Sequence, residues 1–555
     1  MQKLNLNQKN IEDYIPIFLV IIYGFFIALF SISDLPKSFN RVFFSGTVMP
    51  FLYDKPLYDD SFYGFTVAKN IALGKGITDN YGNYITGVQI LTTIFQAIIF
   101  YFLNLFNNCN FFLEKLCTEK IINDQVLASF FLRIIIFINC LLIIYFSHLL
   151  GKISVLIFGK KNRRHNKKLY FLSILISCTS FYIFRLFTSG YETSLYLILI
   201  SLFLFFYINI IKKKKVCLVE SYKLGFIIGF AGLTRIDFGL FYFIFLIFIF
   251  FFRKNFFKVF LLSGLIGFVI VLPWLIFVYN VSDSFLPSSG QQTLSLIKNT
   301  NEFIYRLKFF FSAILQNLIP VLFSGWGAFW QTDVINFIFF CYITYFIFKN
   351  KLYFKNIVKN KIIFIREFLL SILFMFLFYF LFSKAVVYYP RYLSILLIFS
   401  IPFLSNLLCG FIEKKIINNL YRKIIIIFIA IFFISSIYSF HLGRMFTSLG
   451  VTAGVILNNY PNSKIGVWNS GIIGFVNKNV INLDGRLNSE AMSNYKKFGN
   501  IDNYLIKYGE IDMLIDFADT FEDHLSHNYF YANFYLCGKI KEAQPNKIEI
   551  YCRIK

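Results

Sequence analysis

Six ionisable side chains stand out by where they fall: Asp59 and Asp60, Glu192, Arg235 and Asp237, and Arg391. Each borders or interrupts an apolar run in a chain whose charged residues are only 15% of the total. Carboxylates gathered with guanidinium groups can take a proton from a weak nucleophile or hold a metal ion, and can neutralise a phosphate. Each also has an ordinary reading. Adjacent aspartates in a polar loop form solvated turns, and an acid such as Glu192 is favoured near a helix N-terminus. Arg235 and Asp237 can be a buried structural pair, and Arg391 can reach an interface on its long apolar stem. Asp523, His524 and His527 have a metal-like spacing, but the surrounding charges read as a solvated helix face.

The elements that must position these groups are set by composition. The 555 residues are 57% hydrophobic and 21% aromatic, with 77 Phe and 35 Tyr, and mean hydropathy is +0.65. This is the composition of a polytopic α-helical membrane protein. It excludes a soluble enzyme, a disordered scaffold and a nucleic-acid binder. The net charge of +25 is a topology signal, because residues 441–555 carry 12 Lys/Arg against 11 Asp/Glu and +24 falls on residues 1–440. The excess lies in short loops at 160–168, 212–215, 253–258, 349–361 and 414–423, which are read as cytoplasmic and attracted to anionic membrane lipid.

That orientation yields a map. A first uncleaved helix at 15–33 leads to a polar external loop at 34–85. Helices at 168–188 and 193–211 leave Gly190-Tyr191-Glu192 outside. The run 224–252 has basic residues at both ends, so it must go out and return, breaking at Gly232 to Asp237. Its arms are too short to span comfortably, which sinks Arg235 and Asp237 into the membrane, where ionisable groups need a partner or a wet cavity. Helices at 256–280, 326–348, 367–386, 392–410 and 423–440 follow, with 281–325 outside. The segments 86–106 and 126–149 look like two crossings where the map needs an odd number, so one is expected to be re-entrant. In all, about ten to thirteen passes are expected. Asp59, Asp60, Glu192, Arg235, Asp237 and Arg391 then all face one external side.

Residues 441–555 change character. Lys464–Trp468, Val480–Leu483 and Met513–Asp516 read as strands and 488–508 as helical, which predicts a small α/β domain outside the membrane. Its Cys537 and Cys552 can pair if that side is oxidising, and no CxxC spacing occurs anywhere.

Several motifs, in order, carry a resemblance. They are Tyr58-Asp59-Asp60-Ser61-Phe62-Tyr63 with Ala68 to Ile77 and Thr86-Gly87; Ser189-Gly190-Tyr191-Glu192-Thr193-Ser194-Leu195; Gly232-Leu233-Thr234-Arg235-Ile236-Asp237; and Pro273-Trp274 followed by Phe285 to Gly290. The set resembles the GT-C membrane glycosyltransferases that use polyprenyl-phosphate sugars. It is most similar to the branch with the mycobacterial cell-wall arabinofuranosyltransferases, which Asn469 to Gly474 and Leu483-Asp484-Gly485-Arg486-Leu487-Asn488 also resemble. Ile236, where that family usually has Pro, and Val88-Gln89, where many relatives carry Pro-Leu, depart from the pattern without removing an ionisable group.

The resemblance implies a catalytic module over residues 1–440, and a sugar moved to a cell-envelope glycan or glycolipid outside the inner membrane. It implies Asp59 as the base, with Asp60 orienting it or binding a divalent cation. Arg235 and Arg391 would meet the phosphate leaving group, with Glu192 and Asp237 also binding substrate. No Asp-x-Asp motif or Gly-rich phosphate loop lies on a cytoplasmic segment, which argues against a nucleotide-sugar donor. Two other classes stay open: a lipid-linked saccharide flippase, with Arg235 and Asp237 on its path, and a non-catalytic subunit of an envelope assembly.

Overall fold

The computed structural model describes residues 14–29, 57–108, 120–213, 218–297, 299–320, 365–414, 447–507, 510–540 and 548–554, with scattered positions between 337 and 431. The expected helix at 326–348, most of that at 423–440, and the proposed domain boundary at 440 lie outside the described residues.

The described chain is mostly helical, with a small C-terminal sheet. The helices are α1 (Ile15–Leu29), α2 (Asp59–Ala72), α3 (Ile90–Asn108), α4 (Lys120–Phe158), α5 (Arg163–Thr179), α6 (Phe181–Thr188), α7 (Thr193–Ile211), α8 (Leu218–Thr234), α9 (Phe238–Phe252), α10 (Lys254–Ser282), α11 (Ser288–Thr293), α12 (Thr300–Leu318), α13 (Arg366–Phe382), α14 (Tyr389–Tyr392), α15 (Leu397–Lys414), α16 (Thr447–Asn459), α17 (Gly471–Val476), α18 (Ser489–Phe498), α19 (Asp502–Lys507), α20 (Ala518–His524) and α21 (His527–Asn533). Among the described residues, four stretches are long and apolar enough to cross a membrane: Phe130–Phe158, Thr193–Ile211, Lys254–Ser282 and Tyr389–Gly410. A fifth is α5 with α6 if that pair, bent by 62°, counts as one span. Most of the expected spans at 326–348 and 423–440 lies outside the described residues. Ile15–Phe25, Ile90–Leu105 and Phe238–Phe252 are apolar but shorter. Of the two ambiguous segments, the full-length span is therefore the second.

The bend after α5 has a local cause. Ser180 has extended backbone, and its Oγ accepts from the N–H of Ile183 at 3.2 Å, ending one helix and capping the next. The run 224–252 does break where the sequence says. Gly225 and Gly229 on α8 lie so close to Ile266 and Ile270 on α10 that a Cβ at either would come within 2.7 Å, which is small-residue packing. The paired numbers rise together, so α8 and α10 run parallel. The helix between them, α9, runs back along α10, with the Tyr242 hydroxyl donating to Phe260 O at 2.6 Å and Phe250 packed on Phe257. Arg235 to Asp237 form the turn at the end of the hairpin. Leu265, Phe268, Val269, Leu272 and Ile276 of α10 are exposed as a continuous apolar stripe, compatible with a membrane-spanning helix.

The C-terminal sheet contains β1 (Ile465–Val467), β2 (Val480–Asn482), β3 (Met513–Phe517), β4 (Phe534–Ile540) and β5 (Ile548–Arg553) in the order β2-β1-β3-β5-β4. The first three are parallel, and β5 pairs antiparallel with both β3 and β4. The three strands read from sequence match β1, β2 and β3; β4 and β5 were not anticipated. Cys537 on β4 and Cys552 on β5 form a disulfide. One apolar cluster, with Trp468, Leu483, Phe521 and Phe530, is internal to this unit. The other sheet face and α17 join the helical core, where Phe475 packs on Phe62, Phe65 and Phe131. The sheet unit is thus seated on α2.

Candidate active site

Tyr58 enters α2 in extended conformation and donates its backbone N–H to Ser189 O at 3.1 Å. The turn at Gly190 requires glycine twice over: its φ is +85°, and a Cβ would come within 2.7 Å of Ser61 Oγ and 2.9 Å of Phe65 Cζ. This close approach stacks Tyr58 on Tyr191 at 5.5 Å and seats Glu192, 2% exposed, beside the start of α2.

The two aspartates of α2 point to different places. Asp59 is turned toward the sheet unit: Oδ1 accepts from the N–H of Ile472 at 2.7 Å and Oδ2 from that of Gly471 at 3.3 Å. A side chain at Gly471 would collide with the Asp59 carbonyl. Burial pushes the Asp59 carboxyl well above the usual carboxylate range, against the two backbone donors and with help from the nearby Asp60 and Asp516 charges. Asp60 instead lines a cavity of about 330 Å³. Its Oδ1 lies 2.5 Å from Arg486 Nη1, and its Oδ2 accepts from the Tyr388 hydroxyl.

The same cavity collects Glu192, Arg235, Asp237 and Arg391. Arg235 Nη2 lies 2.5 Å from Asp237 Oδ2 and 2.9 Å from the Tyr379 hydroxyl, which also donates to Asp237. The guanidinium sits between the rings of Tyr196 and Tyr392, 4.7 and 4.9 Å away. Arg391 lies over Tyr191 at 4.2 Å, and its backbone is fixed by the preceding Pro390 O, which accepts from Tyr182 and Asn317 at 3.0 and 3.1 Å. Glu192 Oε1 bridges the two arginines loosely, 3.7 Å from Arg391 Nε and 4.0 Å from Arg235 Nε. Among the described residues, Arg235 Nη1, Arg391 Nε and Glu192 Oε2 are buried with no hydrogen-bond partner. Buried polar atoms are rarely left so, and a polar ligand in the cavity would satisfy them. Leu233, Leu240, Trp274, Leu286 and Phe378 also line the cavity.

Five of the six residues singled out by sequence therefore line one cavity, and Asp59 does not. Asp59 instead accepts from the backbone N–H groups of Gly471 and Ile472 where α2 meets the sheet unit, while Asp60 faces the open space. The groups that contact the Asp60 carboxylate, Arg486 and Tyr388, are ones that sequence reasoning passed over. Tyr388 precedes Arg391 by one helical turn, a legible spacing. Arg486 lies in a stretch noted only for its resemblance.

A divalent cation beside Asp60 does not fit this donor set. The nearest partner is itself a cation, Arg486, and no group of three His, Cys, Asp or Glu side chains suited to a metal occurs among the described residues. His524 stacks on Trp468 with an interplanar angle of 13°, and the side chains of Asp523 and His527 lie outside the described residues. Trp274, inside α10, lines the cavity. The chain matches no protein-family model and no curated protein sequence.

Proposed function

We propose that this protein is a membrane glycosyltransferase of the GT-C type that moves a sugar from a polyprenyl phosphate to a cell-envelope glycan or glycolipid. The observation that carries the reading is the cavity itself. It sets the Asp60 carboxylate in the same space as two guanidinium groups with unsatisfied nitrogens, Arg235 and Arg391, together with apolar lining that suits an isoprenoid chain.

In the proposed reaction an acceptor hydroxyl attacks the anomeric carbon while Asp60 takes its proton. The bond from that carbon to the phosphate oxygen breaks, its electron pair leaves on the phosphate, and Arg391 and Arg235 stabilise the charge that develops. One displacement gives inversion at the anomeric carbon. Glu192, set between the two arginines, keeps them apart and aimed at one spot.

An extracytoplasmic site is favoured by two features. The helices α5 and α6 run from the basic cluster at 163–168 to Thr188 beside the cavity, and α10 runs from Lys254 toward Trp274, so the basic ends lie away from it. The Cys537–Cys552 disulfide also suits an oxidising side.

The test is transfer of radiolabelled sugar from membrane polyprenyl-phosphate donors to endogenous glycan, comparing wild type with Asp60→Asn at equal expression. Loss of transfer in the variant supports the reading. Full activity in the variant removes Asp60 as base. Labelled lipid crossing the bilayer with no transfer by the wild type favours the flippase, for which the broken α8–α9 hairpin would be the path.

A further inference from the structure

The turn that carries Arg486 is gripped from three directions. Asp484 Oδ1 accepts from the Arg486 N–H at 2.7 Å across Gly485, whose φ of +83° suits glycine. From α2, the Tyr63 hydroxyl donates to Asp484 Oδ2 at 3.1 Å. From α11, Ser288 Oγ donates to Arg486 O at 2.7 Å and Gln292 Nε2 to Asp484 O at 2.8 Å. Gly87 leaves just enough room for the Arg486 carbonyl, which any side chain there would strike.

The guanidinium is held as firmly as its backbone. Its Nε donates to Gln292 Oε1 at 3.0 Å and lies 3.4 Å from Asp484 Oδ2, which leaves Nη1 against Asp60. Burial works against its charge, but Asp60, with Tyr388 and Asp484 behind it, raises the Arg486 pKa well above its usual value, so it stays cationic. The guanidinium, its Nε donating to Gln292 and paired with Asp484, is oriented so that Nη1 meets Asp60. With the Tyr388 hydroxyl on the opposite oxygen, the Asp60 carboxylate is held from two sides.

Resting on the transferase reading above, we infer that Arg486 is a positioning residue through which the C-terminal domain completes the active site, by fixing Asp60 in the orientation that accepts the acceptor's proton. The sheet unit is then part of the catalytic apparatus, neither a glycan-binding appendage nor a passive cover.

The test uses the full chain in native membranes, with labelled transfer from polyprenyl-phosphate donors and, separately, binding of decaprenyl phosphate. Arg486→Gln should bind decaprenyl phosphate as wild type does while turnover falls ~10- to 100-fold, the scale of a misplaced reacting group. Arg486→Lys, which keeps charge without the fork, should recover part of the loss. Asn80→Ala removes a docking contact remote from the cavity, the donation from Asn80 Nδ2 to Gly474 O at 2.8 Å, and should leave turnover near wild type. Decaprenyl phosphate binding that weakens with Arg486→Gln in step with turnover would overturn the inference by making Arg486 a donor ligand. Equal losses in Arg486→Gln and Asn80→Ala, with a protease-sensitive C-terminal domain in both, would reduce it to docking. If the wild type transfers no sugar, the transferase reading fails and this inference goes with it; a fully active Arg486→Gln sinks the inference alone.

Discussion

The guanidinium of Arg486 stands 2.5 Å from the carboxylate of Asp60, one contributed by the loop after β2 and the other by the first turn of α2. Their neighbours in sequence make a second contact across the same junction, Tyr63 to Asp484 at 3.1 Å. Two parts of the chain that differ in composition are thus joined at the residue proposed to do the chemistry. The junction also explains why adjacent aspartates differ in role: one docks the sheet unit and the other faces the cavity.

That division predicts unequal outcomes for two near-identical substitutions. Asp60→Asn should lower sugar transfer by ~10²-fold or more, as loss of a general base does. Asp59→Asn keeps an acceptor for one backbone N–H and should reduce transfer far less. Equal losses in labelled transfer from the two variants would contradict the assignment.

Arg391 is the least engaged guanidinium of the cavity, with Glu192 Oε1 at 3.7 Å from a nitrogen that makes no hydrogen bond. Arg391→Gln should weaken decaprenyl phosphate binding by roughly 1.5–3 kcal/mol, about 10- to 100-fold, as expected for a lost bond to a charged group. Binding measured on full-length protein in nanodiscs checks this, and unchanged affinity would remove Arg391 from the phosphate site.

Tyr388→Phe removes one of the two groups that hold Asp60. About 1 kcal/mol, or a fivefold loss of turnover, is expected, with decaprenyl phosphate binding intact. A drop in binding as large as the drop in turnover would place Tyr388 on the donor instead.

Docking of the sheet unit should depend on pH in a stated direction. Burial raises the Asp59 carboxyl well above the ordinary range, and raises Asp484 and Asp516 as well. Between the unfolded value, about 4, and the raised one, the docked state binds more protons. Stability is therefore full below about pH 4 and falls as pH rises through the raised value. Proteolysis of the C-terminal domain should quicken from pH 5 to pH 8, and Asp59→Asn should flatten that trend. Protection that grows with pH would show the sign to be wrong.

Removing the bridge between β4 and β5, whose cysteines are separated by 15 residues, should destabilise the sheet unit. Cys537→Ser should cost about 3 kcal/mol by the loop-entropy argument. Thermal unfolding of the purified protein checks this, and an unchanged midpoint would mean that the sheet holds without the bridge.

Much of the architecture was legible because membrane chemistry writes it in plain form. Apolar runs, basic loops and the break at Arg235 to Asp237 follow from the cost of placing charge and open backbone in lipid. The first three strands could be read from short apolar runs set off by glycine. The last two were not: β4 is mostly exposed on an edge, and its pairing with β5 is set by long-range contact and a disulfide.

The sequence by itself determined a mostly helical chain with helices apolar enough to cross a membrane and a distinct C-terminal unit, and made Glu192, Arg235, Asp237 and Arg391 exceptional. Each of those residues is conspicuous against an apolar background, which is a local property. Only the tertiary structure decided which of Asp59 and Asp60 faces the cavity, because successive residues at the start of a helix point about 100° apart. Which direction is inward depends on what packs against the helix. The arrival of Arg486 depends in turn on a sheet folding and docking on α2, a consequence of packing between segments far apart in the chain that no spacing along it encodes.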